Sequence, residues 1–140
     1  MEKILLLTHG GWGTSLKKSV EMIIGRIDFV DEVALYPKDV LQDFTERVKA
    51  YLTQIQATVS EPLHITIMTD LFGGTPTNVA AVLANEERNH LDVITGLNSA
   101  LLLEACSQIM NTGQLKLDVL LENSQNSIFN VMEKIYRKGE

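Results

Sequence analysis

The sequence predicts an α/β domain with a doubly wound, mostly parallel sheet of strand order 2-1-3-4 and helices on both faces. Three observations carry that reading. Four short apolar runs alternate with four segments of helical apolar spacing, which is the pattern of parallel strands joined by right-handed helical crossovers. The chain has 140 residues, 45% of them apolar and 21% charged, which suits a single globular domain over 1–140 with no linker, repeat or low-complexity segment. Two of the runs end directly in an acid–base residue followed by glycines, His9-Gly10-Gly11 after the first and Asp70-Leu71-Phe72-Gly73-Gly74 after the third. In open parallel sheets ligands bind outside the carboxyl ends of the strands, where neighbouring strands send their connections to opposite faces; the order 2-1-3-4 opens that crevice between His9 and Asp70.

The first strand is Ile4 to Thr8, a short buried run ended by glycine. The helix that follows is expected to be capped by Thr14 or Ser15 and to face the core with Leu16, Val20, Ile23, Ile24 and Ile27, leaving Lys17, Lys18, Glu21 and Arg26 outside. Glu32 to Tyr36, stopped by Pro37, reads as the second strand. Asp39 then caps a second helix with the apolar stripe Val40, Leu41, Phe44, Val48, Leu52 and Ile55. Leu63 to Thr69 is the third strand. Thr75 as N-cap and Pro76 at the first helical position open a third helix that runs to about Glu87. Leu91 to Thr95 is the fourth strand, Gly96-Leu97-Asn98-Ser99 a turn with a cap, and Ala100 to about Met110 the fourth helix. Met22, Met110 and Met132 are read as core filler. Leu115 to Leu121 fits helix or strand, and Ser127 to Tyr136 fits neither period well.

Several classes of function are disfavoured by composition. The formal charge of -6 speaks against nucleic acid and leaves room for a positively charged protein partner. The longest apolar stretch, Val79 to Ala84, is far short of the roughly 18 residues of a membrane span, and no signal segment opens the chain; a cytoplasmic location is expected. The single cysteine, Cys106, rules out an internal disulfide and any multi-cysteine metal site and is expected to be a buried small hydrophobe. No cofactor and no metal is implied; His64 and His90 have no cysteine or histidine nearby and are assigned ordinary structural roles.

The chemistry gathers at the two strand ends. A carboxylate at Asp70 holding one ring nitrogen of His9 fixes the tautomer and leaves the lone pair of the other nitrogen free as a nucleophile. Gly73, Gly74 and Thr75 supply an anion seat, because glycines admit close backbone approach and a helix N-terminus presents unpaired N–H groups. Each feature has a plain structural counterpart: a strand-capping histidine, a loop aspartate, a turn without a ligand. Together they describe a histidine that carries a phosphoryl group. Gly11-Trp12-Gly13 begins a dinucleotide fingerprint, but Thr14, Ser15 and Leu16 follow and its last glycine is missing. Trp12 either lines the rim of a partner-binding face or packs over the first helix.

At His9-Gly10, at Asp70-Leu71-Phe72-Gly73-Gly74-Thr75-Pro76-Thr77-Asn78 and at Gly96-Leu97-Asn98 the chain resembles the enzyme IIA components of the mannose/fructose/sorbose family of the bacterial phosphoenolpyruvate-dependent sugar phosphotransferase system. The resemblance covers roughly the first 110 residues. It implies a phosphotransferase in which His9 accepts a phosphoryl group from the histidine phosphocarrier protein and passes it to a IIB component, which serves sugar uptake through membrane IIC and IID subunits, with peripheral membrane association through that complex. It also implies a homodimer in which a C-terminal strand, within 115–140, is exchanged as an antiparallel edge strand. The chain departs from the family in having Ser99, Ala100 and Leu101 where a proline and methionine are common, and in the extra glycines after His9. A IIA-like regulatory module, attached to a transcription regulator or a dihydroxyacetone kinase system, and a non-covalent anion-binding domain are the alternatives.

Overall fold

Strands β1 (Glu2–His9), β2 (Val30–Leu35), β3 (His64–Thr69) and β4 (Leu91–Thr95) lie side by side and all parallel, in the order β2-β1-β3-β4. The computed structural model describes residues 1–86 and 90–137; the expected helix end at Glu87 lies outside the described residues. Helices α1 (Trp12–Ile24), α2 (Leu41–Ala57) and α3 (Thr75–Glu86) make the crossovers, and α4 (Ser99–Thr112), α5 (Leu117–Ser124) and α6 (Val131–Tyr136) follow the last strand.

The unalternating run Ile4-Leu5-Leu6-Leu7 is explained by burial on both faces. Ile4 and Leu6 point to Leu16 and Val20 of α1, to Leu102, Ala105 and Cys106 of α4, and to Leu120 of α5. Leu5 and Leu7 point the other way, onto Phe44 and Val48 of α2 and Val79, Ala80 and Leu83 of α3. A strand covered by helices on both sides has no polar face to write into its sequence. Cys106 is buried as expected, and burial, with the nearby Glu21 carboxylate adding to it, pushes its thiol up to about 12, so it stays protonated and inert.

Several local expectations are corrected. Thr14 and Ser15 do not cap α1; the helix starts earlier, behind Gly11, and the Thr14 hydroxyl donates instead to Glu32 Oε1 at 2.7 Å. The cap position of α2 is Val40, while Asp39 accepts from the Tyr36 N–H at 2.8 Å and pairs with Arg47 at 2.8 Å. Gly74, whose carbonyl accepts the first helical bond from Asn78 N–H at 3.1 Å, takes the cap place expected for Thr75, so Pro76 stands one position deeper in α3. Asn98 supplies the α4 cap, accepting from Leu101 N–H at 2.9 Å. Ile23, Val40 and Leu41 are exposed, as are Met22, Met110 and Met132, so none of these fills the core. Residues 117–124 and 131–136, for which the sequence left the element open, are helical. Leu120 explains the α5 outcome, since it is fully buried in the core cluster that includes Ala105 and Cys106 of α4.

His64 has a structural post at the opposite end of the sheet from His9. Its Nδ1 lies 2.7 Å from Glu2 and its Nε2 2.5 Å from Asp92, and the other Glu2 oxygen accepts the Leu115 N–H at 3.2 Å. Burial by itself would lower the pKa of His64, but the hydrogen bonds to the Glu2 and Asp92 carboxylates outweigh it and raise it. The folded value therefore exceeds the unfolded one, so this ion-paired stability is full below the unfolded pKa and is lost as pH rises through the folded value. Urea unfolding of the wild type and of His64→Gln is expected to show the wild type losing its advantage over the variant as pH rises above the ordinary histidine range. An advantage independent of pH would show that the triad is not held together by charge.

Candidate functional site

His9 ends β1 and Asp70 follows β3, so the two central strands deliver an imidazole and a carboxylate to the same rim of the sheet. By strand alternation His9 continues the side of Leu5 and Leu7, which α2 and α3 cover, and Asp70 continues the side of Met68, which α1 and α4 cover. The imidazole thus leans toward α3 and the carboxylate toward α1.

The contacts between them are specific. His9 Nδ1 lies 3.1 Å from each oxygen of Asp70, and the His9 backbone N–H donates to Oδ2 at 2.8 Å. An ionised carboxylate only accepts, so the ring proton belongs on Nδ1 and the lone pair of Nε2 faces away from Asp70. Burial tends to raise the Asp70 carboxyl, but hydrogen bonds from the His9 backbone, the His9 ring and the Trp12 indole together hold it below the usual carboxylate range. The His9 side chain is 46% exposed and that of Asp70 only 11%: the carboxylate is covered and the imidazole is open.

The outward edge of the ring lies against the start of α3. A Cβ placed on Gly74 would stand 2.7 Å from His9 Cε1 and 3.3 Å from Nε2, so only glycine leaves the imidazole its place. Gly73, at φ +86°, makes the turn that brings Gly74 there. The Gly74 N–H closes that turn on the Leu71 carbonyl at 3.3 Å, and Pro76 has no N–H. The amides of Thr75 and Thr77 remain as first-turn donors without a helical partner. The three residues singled out as an anion seat, Gly73, Gly74 and Thr75, therefore surround the start of the helix that Nε2 overlooks.

Hydrogen-bonded threonines fix this rim from below. Thr77 Oγ1 donates to the Leu71 carbonyl at 2.7 Å and lies 2.7 Å from Thr69 Oγ1, which donates to Thr95 Oγ1 at 2.8 Å. On the α1 side, Glu32 accepts from Thr8 Oγ1 at 2.8 Å as well as from Thr14, and its carboxylate fills the space where a Cβ on Gly13 would be. This accounts for the additional glycine after His9: α1 lacks a side-chain cap of its own, and a carboxylate from β2 stands beside its first turn instead. Sequence reasoning missed this cluster, for which the only trace was a threonine at the end of each of three strands. It also missed the indole N–H of Trp12, which donates to Asp70 Oδ2 at 3.4 Å. Trp12, Leu71 and Phe72 present apolar surface around the opening.

A family model described as the PTS system fructose IIA component matches residues 3–123. The chain is 30% identical over 107 residues to a PTS system fructose-specific EIIA component of Bacillus subtilis, covering 76% of this chain and 70% of that protein. It is 29% identical over 109 residues to a PTS system sorbose-specific EIIA component of Lacticaseibacillus casei, covering 78% and 75%. Among solved structures, the PTS IIA protein associated with the fucose utilization operon from Streptococcus pneumoniae superposes with a TM-score of 0.80 at 27% identity, covering 95% of each chain.

Proposed function

The chain belongs to the fructose IIA component family of the sugar phosphotransferase system, and on that premise we propose that His9 is its phosphoryl acceptor. One observation supports this above the others: Asp70 holds Nδ1 while Nε2 looks out over the start of α3. In the transfer step the Nε2 lone pair attacks phosphorus, the N–P bond of a phosphorylated histidine phosphocarrier protein breaks, and its electron pair stays with the donor. The ring then carries Nδ1–H and Nε2–P together, and the Asp70 carboxylate balances its positive charge. The Thr75 and Thr77 amides offer donors to the phosphoryl oxygens. Attack by a nucleophile of a IIB component reverses the sequence, breaking Nε2–P and returning the pair to Nε2. The work is done in the cytosol, with the group passing on toward sugar entering through IIC and IID subunits.

Incubation of the full chain with phosphoenolpyruvate, enzyme I and the phosphocarrier is expected to add one acid-labile, base-stable phosphoryl group per chain by intact mass. A chain that stays unlabelled beside a cognate partner would leave the non-covalent anion-binding reading in its place.

The working unit is proposed to be a homodimer. Ile128, Phe129, Val131, Met132, Ile135 and Tyr136 are all exposed on a single chain, more apolar surface than so short a segment keeps in water without a partner. Light scattering at micromolar concentration is expected to give twice the chain mass, and half of that once the chain is cut after Asn126. An intact chain that scatters as a monomer would remove the proposal.

A further inference from the structure

We propose that Trp12 is a positioning residue of the transfer site, clamping Asp70 through its indole N–H so that the carboxylate keeps Nδ1 of His9 protonated. The inference rests on the reading of His9 as the acceptor. Its basis is where the donors to Asp70 come from. The backbone N–H at 2.8 Å and the ring nitrogen at 3.1 Å both belong to His9. A carboxylate held only by the residue it orients follows that residue when it moves. Trp12 alone of the three donors belongs to another residue, the first of α1. Its backbone is fixed by the helix and by the Glu32 cluster, in which Thr14 is bound at 2.7 Å and Glu32 occupies the space above Gly13.

Geometry fits this role. Nδ1 is equidistant from the two carboxylate oxygens, so rotation of the carboxylate meets little resistance from the ring. Oδ2, already engaged by the His9 N–H, is the oxygen to which the indole donates. Two donors from two elements on one oxygen define the carboxylate plane, where one does not. Trp12 is 38% exposed. A protein covering the rim therefore removes water from the indole–carboxylate bond as it docks, and the bond strengthens when the transfer is about to occur. In this way the clamp responds to the partner.

The test compares Trp12→Phe, which keeps a ring and loses the N–H, with the wild type and with Asp70→Asn, all in the full chain. Two quantities are measured: kcat and KM for transfer from the phosphorylated phosphocarrier, and the His9 ring-nitrogen chemical shifts by NMR, which report the tautomer. Trp12→Phe is expected to lower kcat about fivefold, the scale of one long, partly exposed hydrogen bond, with KM held. Its ring-nitrogen shifts should move from the Nδ1–H form toward a mixture. Loss confined to KM, or shifts identical to wild type, would make Trp12 a docking surface only and overturn the clamp. If Asp70→Asn transfers at the wild-type rate, the failure lies in the reading of the site; the shifts still decide for or against Trp12. Should Trp12→Phe not fold, benzothienylalanine at the same position replaces N–H by sulfur and carries the same measurements.

Discussion

Replacing His9 by alanine is expected to abolish phosphoryl uptake completely while leaving the fold standing. The imidazole is nearly half exposed and contributes to neither apolar cluster, so its loss opens no cavity in the core. No other histidine is placed to substitute for it. Both ring nitrogens of His64 are engaged by Glu2 and Asp92, which leaves no lone pair free to attack. His90 precedes β4 at the far end of the sheet, its carbonyl accepting from Ile65 N–H at 2.9 Å. Intact mass after incubation with the donor system should read zero added groups for His9→Ala and one for the wild type, with matching circular dichroism. Label that survives in the variant would move the acceptor to another residue.

The next largest effect is expected from Asp70→Asn, a drop in transfer rate on the order of a hundredfold or more with the chain still folded. The substitution preserves shape and an oxygen acceptor for the His9 backbone N–H, now made at 2.8 Å. It changes what Nδ1 faces. An amide nitrogen turned toward the ring donates, so Nδ1 must accept, the proton moves to Nε2, and the nucleophilic lone pair disappears from the exposed edge. The carboxylate charge that balances the phosphorylated ring is lost as well. Because the carboxyl is held below its usual range, the wild-type interaction stands above the ordinary carboxylate pKa and fades only as pH falls through the lowered one. Rapid-quench transfer near neutral pH compares the two proteins with the wild-type carboxylate fully ionised. A variant within threefold of wild type would show that the tautomer is fixed by something other than Asp70, given that a tenfold rate change corresponds to about 1.4 kcal/mol.

Strand positions and the two rim residues were legible in the sequence because each has a strong local signature. Four apolar runs, ended by glycine, proline or polar residues, mark four strands though not their exact ends, and an acid–base group before a glycine pair marks a strand end. Helix caps were less legible. Thr75 carries the composition of a cap, yet the carbonyl of Gly74 takes the first helical bond, because the close approach of His9 demands glycine at that place and sets where the helix starts. The apolar residues Ile23, Val40 and Leu41 obey helical spacing and still face water, since spacing defines a stripe and only the sheet decides how wide a stripe is covered. Glu32 was hidden for another reason. Its partners Thr8 and Thr14 come from β1 and α1, and such a contact is written in three places that only the fold brings together.

The first strand has one further property. Ile4, Leu5, Leu6 and Leu7 are interchangeable as far as burial is concerned: sliding β1 by a residue against β3 turns each to the opposite face, and that face is oily too. The alignment must come from the ends of the ladder. Glu2 meets His64 at one end, and sixty-one positions apart in the chain His9 meets Asp70 at the other. A slip of one residue moves these ends apart by about 3.3 Å and breaks both pairings. The His9–Asp70 pair is therefore also a stop for strand alignment, and the transfer proposed for it requires central strands that have come to rest at the right place.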